Sequence, residues 1–165
     1  MKKTLIGLAT VIHLLPHPFG VSTVGATALY AGAYGSKRTS WLVPLVPLTI
    51  ATLITGGYEP VLVMVFVFAG FSLSTFAGRW FLSSKRSYAR YGLAVVVGAA
   101  IFYLVSNFSI WWVGFYPPTM AGLIECYVNG LPYLGQAALA DAAYCFLLFG
   151  LHAVIERRHA EPAPA

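Results

Sequence analysis

Charged residues are scarce in this sequence. Lysine, arginine, aspartate and glutamate together make up 9% of its 165 residues, and only five residues are acidic. Soluble domains carry roughly 25% charged residues, because a folded chain needs polar groups on its surface. With 59% hydrophobic residues, this chain has too little polar surface for a soluble globular fold. The composition therefore predicts an integral membrane protein.

Cysteines and catalytic motifs are also few. Cys126 and Cys145 have no CxxC spacing, so neither a zinc site nor a disulfide framework is indicated. The sequence contains no P-loop, HExxH or GxSxG motif, and its few carboxylates make paired-carboxylate catalysis improbable. We therefore expect no enzyme, no bound cofactor and no ATP hydrolysis. A metal ligand role for Cys126 or His17 is left open.

The net charge of +5 raises the question of nucleic acid binding. The basic residues, however, stand in short clusters between apolar runs, which is the topology signal of membrane proteins. We expect the lipid bilayer as the partner and no nucleic acid.

Six apolar segments are predicted to cross the membrane as helices. The last three have the ~20 residues that a bilayer core requires, and the first three are shorter. Residues 1–158 would form one six-helix transmembrane domain, and the polar residues 159–165 a disordered cytoplasmic tail. The predicted segments are residues 4–15, 24–35, 40–55, 60–81, 91–112 and 134–155.

The basic clusters fall on alternate connections of this six-segment arrangement. The connections after the first, third and fifth segments contain no lysine or arginine. By the positive-inside rule, both termini are then cytoplasmic. The clusters are Lys2 and Lys3, then Lys37 and Arg38, then Arg79, Lys85, Arg86 and Arg90, and finally Arg157 and Arg158.

Small residues recur on one face of the second segment. Gly25, Ala28 and Gly32 follow helical spacing, and such faces let membrane helices approach closely. Two interpretations are open: packing within this chain, or a docking face for another membrane subunit.

The first outer connection is interrupted by prolines on both sides of His17. Pro16 and Pro18 disfavour a continuous helix. This corner is either a simple hairpin between two helices or part of the lining of an outward-facing cavity.

The longest outer connection, residues 113–136, contains an apolar stripe with helical spacing from Met120 to Val128. It predicts a short amphipathic helix between the fifth and sixth spans. That helix would lie on the membrane surface, cap the bundle, or act as a lid over a binding cavity.

Asp141 is the one acidic residue well inside a predicted span. A charge at the centre of a membrane helix costs about 2.5–3.5 kcal/mol on insertion scales, so such residues usually face a bundle interior or a wet cavity. Asp141 is predicted either to make a structural hydrogen bond or to hold or gate a ligand. His152, near the inner end of the sixth segment, is expected at the membrane interface.

Three stretches carry a resemblance to a known family: "LLPHPFGVSTVGATALYAGAY", "SNFSIWWVGFYPPTMAGLIECYVNGLPYLG" and "ADAAYCFLLFGLHAVIE". They resemble an uncharacterised bacterial family of small membrane proteins to which a transport role is assigned. That family in turn is similar to the substrate-binding subunits, or S components, of energy-coupling factor vitamin transporters. The resemblance covers residues 6–155.

The resemblance implies a multi-pass protein of the bacterial inner membrane that captures a vitamin or cofactor-like molecule on its outer side. It also implies an energy-coupling transmembrane subunit and ATPases as partners. S components dock to that subunit through small residues of the first helix, and this sequence departs from them, because its richest small face is in the second segment, where docking is expected at Gly25, Ala28 and Gly32. The implied ligand-binding residues are His17, Phe19, Asn107, Trp111, Tyr116, Tyr127, Asn129 and Asp141.

Two functions therefore compete. In the first, the protein binds a small molecule for uptake, and its many aromatic residues favour a planar ligand. In the alternative, it is a membrane assembly factor or sensor that binds a partner protein through its outer lid or its small-residue face. A cofactor-sized, polar-lined outer cavity would favour the first, and a filled bundle with an exposed apolar groove the second.

Overall fold

The computed structural model describes residues 2–15, 21–56, 60–84 and 87–160, and within these ranges it contains six α-helices and no β-strand. The predicted all-helical class is confirmed. A single 3-10 turn, Ser40–Leu42, precedes the third helix. The helices are α1 (Lys2–Leu14), α2 (Val24–Tyr34), α3 (Leu45–Thr55), α4 (Val61–Leu82), α5 (Tyr88–Trp112) and α6 (Met120–Ala160).

Among the described residues, three helices are long and apolar enough to cross a membrane: α4 with 22 residues, α5 with 25 and α6 with 41. The bounds of α4 and α5 lie close to those predicted from the apolar runs. Helices α1, α2 and α3 have 13, 11 and 11 residues. At 1.5 Å per residue each is about 20 Å long or less, against a hydrocarbon core of about 30 Å.

The outer connection before the last span differs from the prediction. We expected a short amphipathic helix and then a separate span from residue 134, and this was wrong, because α6 runs unbroken from Met120 to Ala160 through Pro132. Proline removes one backbone hydrogen bond, but membrane helices tolerate this where neighbouring groups satisfy the freed carbonyl. Helix α6 also includes the first two residues of the expected tail, and residues 161–165 lie outside the described residues.

Helix α2 lies at the centre of the bundle. Every residue from Val24 to Ala33 is buried, and the helix packs against α1, α4, α5 and α6. A Cβ atom added at Gly32 would fall on the carbonyl oxygen of Thr75 in α4, and one added at Gly78 would fall on the carbonyl oxygen of Leu29 in α2. The backbones of α2 and α4 are therefore in direct contact, which only glycine permits at these two positions.

The small face of α2 is covered within the chain. Gly25 lies against the side chain of Asp141 in α6, Gly32 lies against α4, and Ala28 is completely buried. The prediction that Gly25, Ala28 and Gly32 dock another subunit is therefore wrong. The same small residues instead allow neighbouring helices to pack closely inside the bundle, which was the other interpretation.

Helices α4 and α5 are joined by polar and aromatic contacts. The Ser74 hydroxyl lies 2.9 Å from the carbonyl oxygen of Gly70 in its own helix and 2.8 Å from that of Gly98 in α5. The rings of Phe71 and Phe102 stack with their centroids 4.0 Å apart. These contacts fix the face that α5 turns toward the bundle interior.

Basic side chains meet helix ends at one end of the bundle. Lys2 Nζ donates to the carbonyl oxygen of Tyr34 at 3.5 Å, which places the start of α1 beside the end of α2. The Arg79 guanidinium donates to Ser36 O at 3.1 Å, and Arg90 donates to Phe81 O at 3.3 Å. We call this region, defined by Lys2, Arg79 and Arg90, the basic end.

His152 lies on α6 toward the basic end, and its expected place at the membrane interface stays a prediction. Its side chain is completely buried. Its Nδ1 forms a hydrogen bond with the Tyr30 hydroxyl, and its Nε2 lies 2.9 Å from the Glu156 carboxylate. The Tyr34 ring stacks on the imidazole at a centroid distance of 3.9 Å. Aromatic side chains of α2 thus cover the imidazole within the bundle.

Candidate functional site

A cavity of about 930 Å³ lies at the end of the bundle opposite the basic end. It is open on one side and lined by the last turn of α1, the residues before α2, the helices α3 to α6 and the connection between α5 and α6. The described residues that line it are His13, Val21, Ser22, Leu48, Val63, Val67, Phe71, Ala99, Phe102, Tyr103, Ser106, Asn107, Ile110, Phe115, Tyr116, Cys126, Asn129, Gly130, Tyr133, Leu134, Ala137 and Asp141.

Helix α5 contributes one continuous face to the cavity. Phe102, Tyr103, Ser106, Asn107 and Ile110 all line it, and their spacing of three and four residues puts them on one side of a helix. Along this face two aromatic residues are followed by the hydroxyl of Ser106 and the amide of Asn107. These polar groups are where a ligand would find directional hydrogen bonds.

Helix α6 contributes the facing wall. Cys126, Asn129, Tyr133, Ala137 and Asp141 line the cavity at three- or four-residue intervals over four turns. The wall begins with amide and phenol groups near the start of α6 and ends at the Asp141 carboxyl group, deepest along the helix. The unbroken α6 places all five side chains on a single rigid element.

Asp141 is 7% exposed and lies where α6 crosses the start of α2. The backbone N–H of Ala26 donates a hydrogen bond to its carboxyl group. A Cβ atom at Gly25 would coincide with the carboxyl oxygens, so the absent side chain of Gly25 creates the space that the carboxyl group occupies. Because Ala26 lies in the first turn of α2, the helix dipole also favours negative charge here.

Hydrogen bonds between α5 and α6 hold the two walls together. The Tyr103 hydroxyl donates to the backbone carbonyl of Tyr127, and the Tyr127 hydroxyl donates to Leu104 O at 2.9 Å. Cys126 Sγ donates to Asn107 O at 3.3 Å, and within α5 Asn107 Nδ2 donates to Tyr103 O at 2.9 Å. The three bonds between α5 and α6 fix the separation of the walls, and with it the width of the cavity.

The connection between α5 and α6 folds back over the end of the cavity. Trp111 Nε1 donates to Pro117 O at 2.9 Å, and Asn129 Nδ2 donates to the Tyr116 hydroxyl at 3.3 Å. A Cβ atom at Gly122 would fall on that same Pro117 carbonyl. The connection is therefore tied to both helices that it joins.

The predicted ligand-binding residues fall into three groups. Asn107, Tyr116, Asn129 and Asp141 line the cavity together. Trp111 and Tyr127 are not among the described lining residues, and their hydrogen bonds instead hold the surrounding frame. His17 and Phe19 lie outside the described residues.

Several lining residues were missed by the sequence reasoning. Val63, Val67 and Phe71 line the cavity from α4, and Tyr133 and Ala137 line it from α6. The α4 residues are apolar and give no signal that separates a cavity wall from a core. Tyr133 carries no signal of its own, because the sequence does not show that α6 continues through Pro132 and brings this ring to the cavity wall.

The described residues contain no cluster of three or more His, Cys, Asp or Glu side chains that would hold a metal ion. Cys126 lines the cavity as a buried free thiol, and His17 lies outside the described ranges. The cavity combines hydrogen-bonding groups, aromatic rings and one carboxyl group around a space large enough for a small-molecule ligand.

Comparison with known proteins identifies a family but no individual relative. No curated protein and no solved structure matches the chain. A family described as "Family of unknown function (DUF6580)" matches residues 2–163. Because this match covers nearly the whole chain, the protein belongs to the DUF6580 family.

Proposed function

We propose that this protein is a membrane-embedded uptake protein that binds a vitamin- or cofactor-sized molecule in the cavity between α5 and α6. The observation that carries the proposal is the cavity itself. Its volume of about 930 Å³ lies within the roughly 300–1,000 Å³ of small-molecule sites, which combine apolar walls with a few converging polar groups. A bundle that served only as a scaffold would fill this space with side chains.

The proposal includes a topology in which the helices α1 to α6 are six spans of the bacterial inner membrane and both termini are cytoplasmic. The basic end supports this orientation, because Lys2, Arg79 and Arg90 meet there and basic residues favour the cytoplasmic side. The cavity then faces outward. The helices α1 and α2 are shorter than the hydrocarbon core is thick. Longer neighbouring helices would shield their ends from lipid, or the bilayer would thin locally around them.

Cysteine labelling in intact cells tests this topology. We expect Thr119→Cys, beside the cavity, to react with a membrane-impermeant maleimide from outside, and Ser36→Cys and Ser84→Cys to react only after the cells are opened. All three positions are exposed, so differences in burial do not explain a difference in labelling. Labelling of Ser36→Cys in intact cells would overturn the proposed orientation.

Energy for uptake would come from a partner, as the resemblance to S components implies, and an energy-coupling transmembrane subunit with ATPases is part of the proposal. Such a subunit would contact a face other than Gly25, Ala28 and Gly32, which are buried. Helix α1 offers one possibility within the described residues, because Gly7 is exposed and has no neighbouring atoms where a Cβ would lie.

Mass spectrometry of the purified protein tests the function. We expect a small molecule to co-purify with the wild type in mild detergent and to be lost from Ala137→Trp, which places an indole in the cavity. Ala143→Trp is the matched control, since residue 143 is exposed on the same helix and outside the described lining. An equal amount of the molecule in all three proteins, or a cavity without any ligand under every growth condition, would contradict the proposal.

A further inference from the structure

The charges around the cavity are opposite in sign to the charge of the whole chain. The protein has ten lysines and arginines and five acidic residues, yet none of the described lining residues is a lysine or arginine. Asp141 is the carboxylate among them, and His13 is the one lining residue that can become cationic near neutral pH. A molecule in this cavity therefore meets a carboxyl group and no lysine or arginine among the described lining residues.

The Asp141 carboxylate can accept further hydrogen bonds. An ionised carboxylate accepts about four hydrogen bonds, and the Ala26 N–H supplies one. Across the described ranges, no lysine, arginine or histidine nitrogen forms an ion pair with it. A buried carboxyl group without a counter-charge avoids the cost of its charge by holding a proton. A cation in the cavity favours the ionised form of Asp141, and an anion favours the neutral form.

The aromatic lining favours the same class of molecule. Phe102, Tyr103 and Tyr133 line the cavity with Asp141, and aromatic rings attract cations through their negative faces. Amide and hydroxyl groups at Asn107 and Ser106 accept or donate hydrogen bonds without adding charge. Recognition of a phosphate or carboxylate would call for arginine or lysine, which the described lining lacks.

We propose that the cavity selects organic cations, such as molecules with a protonated amine or a quaternary ammonium group, and that Asp141 receives the positively charged nitrogen. This inference rests on the proposed binding function and adds the charge of the substrate to it. Anionic molecules of the same size are excluded by the uncompensated carboxylate and by the lack of basic lining residues.

Charged thiol reagents measure this selectivity without knowledge of the natural ligand. Ala137→Cys places a thiol in the cavity wall one turn from Asp141, in a Cys126→Ser, Cys145→Ala background so that it is the sole cysteine. The purified protein is treated with a trimethylammonium-ethyl or a sulfonato-ethyl methanethiosulfonate, and the two rate constants are compared. We expect Asp141→Asn to lower the cation-to-anion rate ratio about tenfold.

Glu125→Gln is the matched control, because Glu125 is exposed on the same helix and is not among the described lining residues. It removes one negative charge from the protein and should leave the ratio unchanged. A ratio that is the same in the parent and in a folded Asp141→Asn protein overturns the inferred selectivity and leaves the proposed function standing. Reaction with neither reagent contradicts the proposed function as well, since polar molecules would then not reach the cavity.

Discussion

Gly32→Leu is expected to prevent assembly of the helix bundle, with a loss of about 3 kcal/mol or more. A side chain at this position meets the backbone of α4 at Thr75 and Arg79, and backbone atoms have no rotamer that moves them aside. The two helices would have to separate. Since no hydrophobic force drives helices together in lipid, loss of close contact removes most of what holds this pair.

The measurement is the yield of monodisperse protein on gel filtration in detergent, together with the thermal melting temperature of what is recovered. Gly32→Ala should show an intermediate loss, because a single methyl group already falls on the Thr75 carbonyl. Gly150→Leu is the control. It also replaces a helical glycine, but it is exposed and an added Cβ meets no atom within 4 Å. Normal yield and stability of Gly32→Leu would contradict the observed α2–α4 contact.

The contact between α2 and α4 also shows how far the sequence predicts the fold. Small residues at helical spacing are visible in the sequence, and they indicate that some helix approaches closely. They do not tell which helix it is, because Gly78 and Thr75 could equally belong to a lipid-facing surface. Only the three-dimensional arrangement shows that α4 covers this face and that no room remains for another subunit.

Pro132 illustrates a prediction that failed for a physical reason. The sequence pattern Gly130-Leu131-Pro132 is typical of a turn, since proline disfavours helix at the preceding residue and removes a donor. In α6 the helix continues through this position. A lost bond is a local cost, whereas α6 gains packing against α1, α2 and α5, so the tertiary context outweighs the local signal.

The candidate site was predictable in part. Asp141 stood out because a carboxyl group inside an apolar span is costly. This cost predicts that its side chain faces the bundle interior, whichever helices surround it. Asn107 and Asn129, which also line the cavity, were implied only by the resemblance to S components, since nothing in the residue pattern singles them out. The apolar lining residues of α4, such as Phe71, carry no comparable signal, because the same residue types fill membrane helices everywhere.

Asp141→Ala and Asp141→Asn are expected to separate the structural role of this residue from its role in binding. In the alanine variant the Ala26 N–H loses its acceptor, and an unsatisfied buried donor costs about 1–3 kcal/mol. The asparagine variant keeps an oxygen that can accept this bond, so its stability should stay near that of the wild type. Both variants lose the negative charge that is proposed to hold the ligand.

We therefore expect both variants to retain at least tenfold less of the co-purifying molecule than the wild type, and only Asp141→Ala to melt at a clearly lower temperature. The measurements are mass spectrometry of the extracted ligand and thermal unfolding in the same detergent.

Gly25→Ala provides a third comparison, since its methyl group occupies the place of the carboxyl oxygens and displaces them while the charge is kept. It should also weaken retention, because the carboxylate no longer lies at its position in the wall. Full retention by a well-folded Asp141→Asn protein would remove Asp141 from the binding site and leave it a purely structural acceptor for α2.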